Sequence, residues 1–287
     1  MRATDEIIAG RVASVGEPAH HRYVVTLFGL YAQEEGLELP ISKIVELLEE
    51  VNVESTSTRS AVSRLKKREV LDQVGTGQYR ISPAVLSHFR RRDERIYQPR
   101  VAAEDGRWLL ISFTVPESAR QARHLLRSGM QRMGFGTISA GLWVAPEKIE
   151  DEARDYFEEH DLTQYIEMFA ADYLDEPSLP TKVARWWNLE SIESHYQDFL
   201  TKYQQELGKW QKKMQNPATE QRAREAFAFH LPMFTQWRVL PFLDPGLPAS
   251  VLPETWKGYQ AHELFTELHA LVFPEAQKHI AAVLATN

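Results

Sequence analysis

The chain has 287 residues, 43% of them hydrophobic and 25% charged, an ordinary globular composition with material for two or three domains. It contains no cysteine, which excludes a disulfide framework, thiolate metal sites and a cysteine nucleophile. The net charge is −7, but residues 55–100 hold 11 Lys/Arg against 4 Asp/Glu, whereas residues 101–287 hold 18 against 26. A basic module joined to an acidic body is the electrostatic footprint expected of nucleic-acid binding. Chance variation of charge along a chain is the plain alternative. No apolar run approaches the ~20 residues a membrane span needs, and the N-terminus does not read as a signal peptide, so a cytoplasmic location is expected.

Residues 1–20 read as a flexible arm ending near Gly16-Glu17-Pro18. From Arg22, the apolar residues Tyr23, Val24, Leu27, Phe28 and Tyr31 recur at helical spacing until Gly36. A second helix is predicted to start with Pro40 at its first position and to bury Ile44, Leu47, Leu48 and Val51. A third starts in the stretch Ser55 to Thr58, whose hydroxyls suit N-caps, and buries Ala61, Val62 and Leu65. Two short runs, Val70–Val74 and Gln78–Ile81, flank a glycine turn and predict a β-hairpin. Three helices followed by a hairpin make residues 21–100 a winged helix-turn-helix.

Residues 101–178 change character. Trp108–Phe113 reads as a buried strand, Pro116 opens a helix to about Met133, and Thr137–Val144 reads as a second strand. Pro146 opens another helix to about His160, and Ile166–Ala171 is a third strand. Strands alternating with helices over so short a span predict a ferredoxin-like α/β sandwich. Residues 179–287 are helical, led by an amphipathic run from Leu189 to Trp210. The fold class is therefore α+β: winged helix, ferredoxin-like middle domain, helical C-terminal domain.

The third helix carries the chemistry. Away from its apolar face it offers Ser57, Thr58, Arg59, Ser60, Ser63, Arg64 and Lys67. Hydroxyls near a helix N-terminus permit close approach to base edges, and long cations reach guanine acceptors or phosphates. Thr58, Arg59, Ser60, Ser63 and Arg64 are expected to face the major groove. Lys66, Lys67 and the wing around Thr76 would contact phosphates. A solvated basic helix, or a winged helix that binds protein, is the competing reading. Arg90, Arg91, Arg92 and Arg95 either touch flanking phosphates or form a solvated linker. Arg120, Arg123 and Arg127 share one helix face, which suits effector phosphates, DNA or simply water.

Enzyme signatures are missing. Gly136 to Gly141 is a near miss to a nucleophile elbow, since Thr137 stands where glycine is required. The ten histidines form no zinc-binding His-Glu-x-x-His run. The rival classes that stay open are a ferredoxin-like nuclease, an acyl-CoA-processing enzyme and a winged-helix protein-interaction module.

Three segments carry a resemblance: Thr58 to Leu65 (TRSAVSRL), Arg123 to Pro146 (RHLLRSGMQRMGFGTISAGLWVAP) and Trp237 to Gly258 (WRVLPFLDPGLPASVLPETWKG). With these the chain resembles the PaaX family of bacterial repressors, from about Arg22 to its end. The first segment is common among winged helices; the other two are distinctive in combination and order. The resemblance implies a homodimer on a palindromic operator in double-stranded DNA, released by an acyl-CoA effector such as phenylacetyl-CoA, with no cofactor, catalytic residue or metal. It also implies a middle domain like small CRISPR-associated nucleases, which place an aspartate near the end of the first strand. Trp108 to Thr114 contains none. Arg123, Arg127, Trp143, Trp237, Arg238 and Asp244 are the candidate effector-binding residues, with core burial the competing reading for the tryptophans.

Overall fold

The computed structural model describes residues 18–31, 37–83, 85–86, 95–98 and 106–286. Helix α1 (Ala19–Thr26) continues into a π-helical turn, Leu27–Tyr31, burying Val24, Val25, Leu27 and Phe28. Pro40 lies one place earlier than predicted. It is the residue before α2 (Ile41–Glu49), extended at φ −67° and ψ 145°, and with Leu39 forms the short strand β1 (Leu39–Pro40). Proline is accommodated there because it sits at a sheet edge, where its missing N–H breaks no ladder. Asn52, at φ 62°, turns the chain towards α3 (Ser55–Lys67). The hydroxyls of Ser55 to Thr58 do not cap this helix. Glu54 holds the cap position without a side-chain bond, and the Thr58 N–H already donates to the Glu54 carbonyl at 3.0 Å.

The wing is the hairpin β2 (Leu71–Gly75) and β3 (Gln78–Ile81), closed by Thr76-Gly77. Gly77 takes φ +72°, which a side chain would strain. Its carbonyl accepts from the Ile41 N–H at 2.8 Å, tying the turn to the start of α2. The sheet order is β1-β3-β2, all antiparallel. Three helices with this sheet form the expected winged helix.

The middle region is β4 (Trp108–Phe113), α4 (Arg120–Met133), β5 (Gly136–Ser139), β6 (Leu142–Pro146), α5 (Glu150–Glu159) and β7 (Ile166–Ala171). The run expected to be one strand, Thr137–Val144, is a hairpin that turns at Ala140-Gly141. Counting it as two strands gives the β-α-β-β-α-β order, and the antiparallel sheet runs β5-β6-β4-β7, the ferredoxin-like arrangement. Leu109, Ile111, Trp143 and Ala145 form one sheet face and pack with Leu126, Met130, Ala153 and Phe157 of the two helices.

Helices make up the rest: α6 (Leu179–Trp187), α7 (Leu189–Met214), α8 (Glu220–Trp237), the short α9 (Leu240–Leu243) and α10 (Gly258–Ala285). Thr219 caps α8, its hydroxyl accepting from the Arg222 N–H at 3.1 Å. Among the described residues no helix is long and apolar enough to cross a membrane.

The chain divides into two compact units. One combines Met1–Tyr97, Phe199–Val239 and Gln260–Asn287; the other combines Gln98–Asp198 and Leu240–Tyr259. The winged helix thus shares its unit with much of the C-terminal helical region.

Candidate nucleic-acid interface

Helix α3 presents two faces. Thr58, Ala61, Val62 and Leu65 repeat at i, i+3, i+4 and i+7, and all are buried at 1% exposure or less. Arg59, Ser60, Ser63, Arg64, Lys66 and Lys67 are exposed, and Ser57 is half-buried. Thr58 therefore leaves the candidate groove-facing set. Its hydroxyl has no hydrogen-bond partner among the described residues. The apolar stripe simply starts one turn earlier than Ala61, with threonine as its first member.

The exposed face bears four cations and two small hydroxyl residues, with the hydroxyls nearer the helix N-terminus than Arg64, Lys66 and Lys67. Three of these cations lie in the last turn, where they also oppose the negative end of the helix dipole. The Lys66 ammonium donates to Gln73 Oε1 at 2.8 Å, and Gln73 Nε2 donates to the Gly75 carbonyl at 3.0 Å. Helix and wing are thus bridged by side chains, and Thr76 is exposed at the wing turn. Arg90, Arg91 and Arg92 lie outside the described residues. Arg95 is 7% exposed and is not a free surface cation.

Three family models cover successive parts of this chain. The PaaX-like protein model matches residues 21–85, the PaaX protein central Cas2-like domain residues 101–183, and the PaaX-like protein C-terminal domain residues 187–282. The chain belongs to the PaaX family. It is 24% identical over 259 residues to the Transcriptional repressor PaaX of Escherichia coli (strain K12), covering 88% of this chain and 80% of that one. The solved structure of the uncharacterized protein Rv0674 from Mycobacterium tuberculosis is similar in fold, with a TM-score of 0.54, 22% identity, and coverage of 92% of this chain and 98% of the other.

In this PaaX-family chain the candidate effector residues divide between the two compact units. Arg123, Arg127, Trp143 and Asp244 belong to one unit, and Trp237 and Arg238 to the other. Trp143 is 1% exposed inside the Cas2-like core, with its indole N–H unpartnered among the described residues. Trp237 is fully buried and donates to the Ile96 carbonyl at 3.0 Å, while stacking on Phe265 at 4.5 Å between ring centres. Arg238 is buried and donates to Thr26 Oγ1 at 3.2 Å. Asp244 accepts from the Tyr196 hydroxyl and the Gly246 N–H, both at 2.8 Å. These four positions do internal structural work. Arg123 donates to the Val115 carbonyl at 2.7 Å, and Arg127 is exposed.

A polar network that the sequence did not suggest joins the winged helix to the C-terminal helices within their shared unit. The Tyr31 hydroxyl meets His230 Nδ1 at 2.6 Å, and His230 Nε2 meets His269 Nδ1 at 2.9 Å. Thr26 bonds Thr235 at 2.9 Å, and Glu50 pairs with His279 at 2.7 Å and Arg224 at 3.2 Å. Burial, and secondarily the neighbouring His269, holds His230 well below the usual imidazole range; burial pushes His269 down to about 4. Both rings are therefore neutral near pH 7. Their positions lie 39 residues apart on two helices, a separation that no local motif records.

Proposed function

We propose that this chain is a DNA-binding transcriptional repressor that acts as a homodimer on a palindromic operator. The exposed face of α3 carries the reading: Arg59, Ser60, Ser63, Arg64, Lys66 and Lys67 stand on one side of a helix whose other side is packed into a winged helix. The name of the E. coli relative supports the same role. Ser60 and Ser63 allow close approach, Arg59 and Arg64 reach base edges, and Lys66, Lys67 and the wing hold phosphates. A chain with this role works in the cytoplasm and needs no catalytic group. We extend the reading to an acyl-CoA effector, phenylacetyl-CoA being the first to test, whose binding lowers operator affinity.

The test is fluorescence anisotropy with DNA from the promoter of the chain's own gene, repeated across salt concentrations. Each neutralised phosphate contributes about −0.9 to the slope of log K against log[salt], so a dimer should give a slope of several units. Absence of binding, or a flat salt dependence, would sink the DNA-binding reading in favour of a protein-interaction module. Binding unchanged by phenylacetyl-CoA would remove that effector alone.

A further inference from the structure

The Cas2-like sheet has a second face that α4 and α5 do not cover. Trp108 and Leu110 of β4 alternate with the core residues Leu109 and Ile111, and Val144 of β6 alternates with Trp143 and Ala145. Helix α6 packs on this second face at β5. There the Trp187 indole lies over Gly136 and donates to the Gly134 carbonyl at 2.7 Å. The face left beside α6 forms a cleft of about 400 Å³.

Its lining has a definite chemistry. Leu110, Ile138 and Val144, from three adjacent strands, supply an apolar floor. Trp108 and Trp186 add large flat surfaces, and Tyr173 packs edge-on against Trp186 at 5.8 Å. Lys182 and Arg185, three residues apart on α6, complete the wall. Neither cation has a hydrogen-bond or ion-pair partner among the described residues. Asp172 is the one carboxylate among the cleft's lining residues, so the cations outnumber it. An apolar floor with flat aromatic walls favours a planar or acyl group, and two unpaired cations favour an anion. A single carboxylate leaves an acceptor for an amide or hydroxyl of the same molecule. The volume suits a small molecule's apolar portion.

We propose that this cleft is the effector site. It takes an amphipathic anion, with its aryl or acyl group on Leu110, Ile138 and Val144 and its charged end on Lys182 and Arg185. The assignment rests on the effector reading above and gives it a location. It also separates the site from Arg123 and Arg127, whose helix packs on the other face of the sheet.

Calorimetric titration of the full-length protein with phenylacetyl-CoA, free coenzyme A and phenylacetate tests the assignment and shows whether the anionic end is phosphate or carboxylate. Two variants are compared with wild type: Lys182→Gln/Arg185→Gln, which removes only unpaired charge, and Leu110→Trp, which fills the floor. Phenylacetyl-CoA is expected to bind best. The charge variant should weaken it roughly tenfold or more, the scale of one charge-assisted hydrogen bond, and Leu110→Trp should abolish it. Thermal melting of the charge variant should match wild type. If both variants bind phenylacetyl-CoA as wild type does, the effector site is elsewhere, though the effector reading survives. If the wild type binds none of the three probes, the proposal is overturned. If the variants lose binding but the ligand never releases DNA from wild type, the site stands and the effector reading falls.

Discussion

The Tyr31 hydroxyl lies 2.6 Å from Nδ1 of His230, a contact that joins the first helix of the winged helix to α8 across 199 residues of sequence. Burial holds the Tyr31 phenol well above its ordinary range, with Tyr97 adding to the effect, so the phenol keeps its proton. One assignment of protons that satisfies the whole chain has Tyr31 donating to His230 Nδ1 and His230 Nε2–H donating to His269 Nδ1. It requires both imidazoles to be neutral.

That requirement makes stability depend on pH. The folded pKa values of His230 and His269 are depressed, the latter to about 4 against 6.5. Between those values the unfolded chain binds more protons than the folded one, so stability rises with pH there. It is fully present above pH 6.5 and is lost as pH falls towards 4. For His269 alone the loss is on the order of 3 kcal/mol. Glu225 and Glu275 are held below the usual carboxylate range, first by hydrogen bonds from Lys213 and Lys278. Urea unfolding at pH 7.5, 6.5 and 5.5 should show the decline. His269→Gln should flatten it, and an equal slope in the variant would refute the assignment.

Arg64 and Thr58 make a paired test of α3. Arg64 is exposed and Thr58 is fully buried with an unpartnered hydroxyl. Arg64→Ala should leave the melting temperature near wild type while weakening operator binding by about 1–3 kcal/mol. Thr58→Val keeps the shape and removes the buried hydroxyl, so it should stabilise the fold by about 1 kcal/mol. Its operator affinity should not change. A loss of DNA binding in Thr58→Val would show that the helix presents a different face from the one described.

The two residues also show how far the sequence could be read. The winged helix was legible because its apolar stripes and glycine turn are local. Thr58 was misjudged because threonine is polar by composition, while its place on the stripe is set by spacing from Ala61, Val62 and Leu65. The Thr137–Val144 run hid a hairpin because its turn, Ala140-Gly141, is only two small residues long. Trp143 and Trp237 stood out in distinctive motifs, but large aromatics also fill cores, and burial decided for the core. The Tyr31–His230–His269 chain could not have been read at all. It depends on which helices meet, and each residue is unremarkable in its own segment.

Gly136 offers a test of how α6 sits on the sheet. A Cβ there would lie 2.7 Å from Cδ2 and Cε2 of Trp187, closer than real packing allows. The indole cannot shift freely, because its N–H is bonded to Gly134. Gly136→Ala should therefore destabilise the Cas2-like domain by about 1–3 kcal/mol, the usual cost of overpacking. Thermal melting followed by tryptophan fluorescence measures this. An unchanged midpoint would mean that the indole moves aside at no cost.

The effector reading carries a thermodynamic obligation. A ligand releases DNA only if it prefers a DNA-incompetent arrangement of the protein, and operator DNA must then weaken ligand binding by the same factor. Couplings of this kind are typically about 1–3 kcal/mol, or roughly 5–150-fold. The measurement belongs on the full chain. Deleting residues 1–95 would strip Thr26, Tyr31 and Glu50 from Thr235, His230 and His279, taking a hydrogen-bond partner from each of these residues of α8 and α10. Phenylacetyl-CoA affinity should be measured with and without saturating operator, and operator affinity with and without saturating phenylacetyl-CoA. The two ratios should be equal and greater than one. Unequal ratios would expose a further linked equilibrium, such as dimer dissociation, and should converge when protein concentration is raised. If both ratios are one while DNA and ligand each bind, the two sites are independent, and the chain binds an operator without being switched by this ligand.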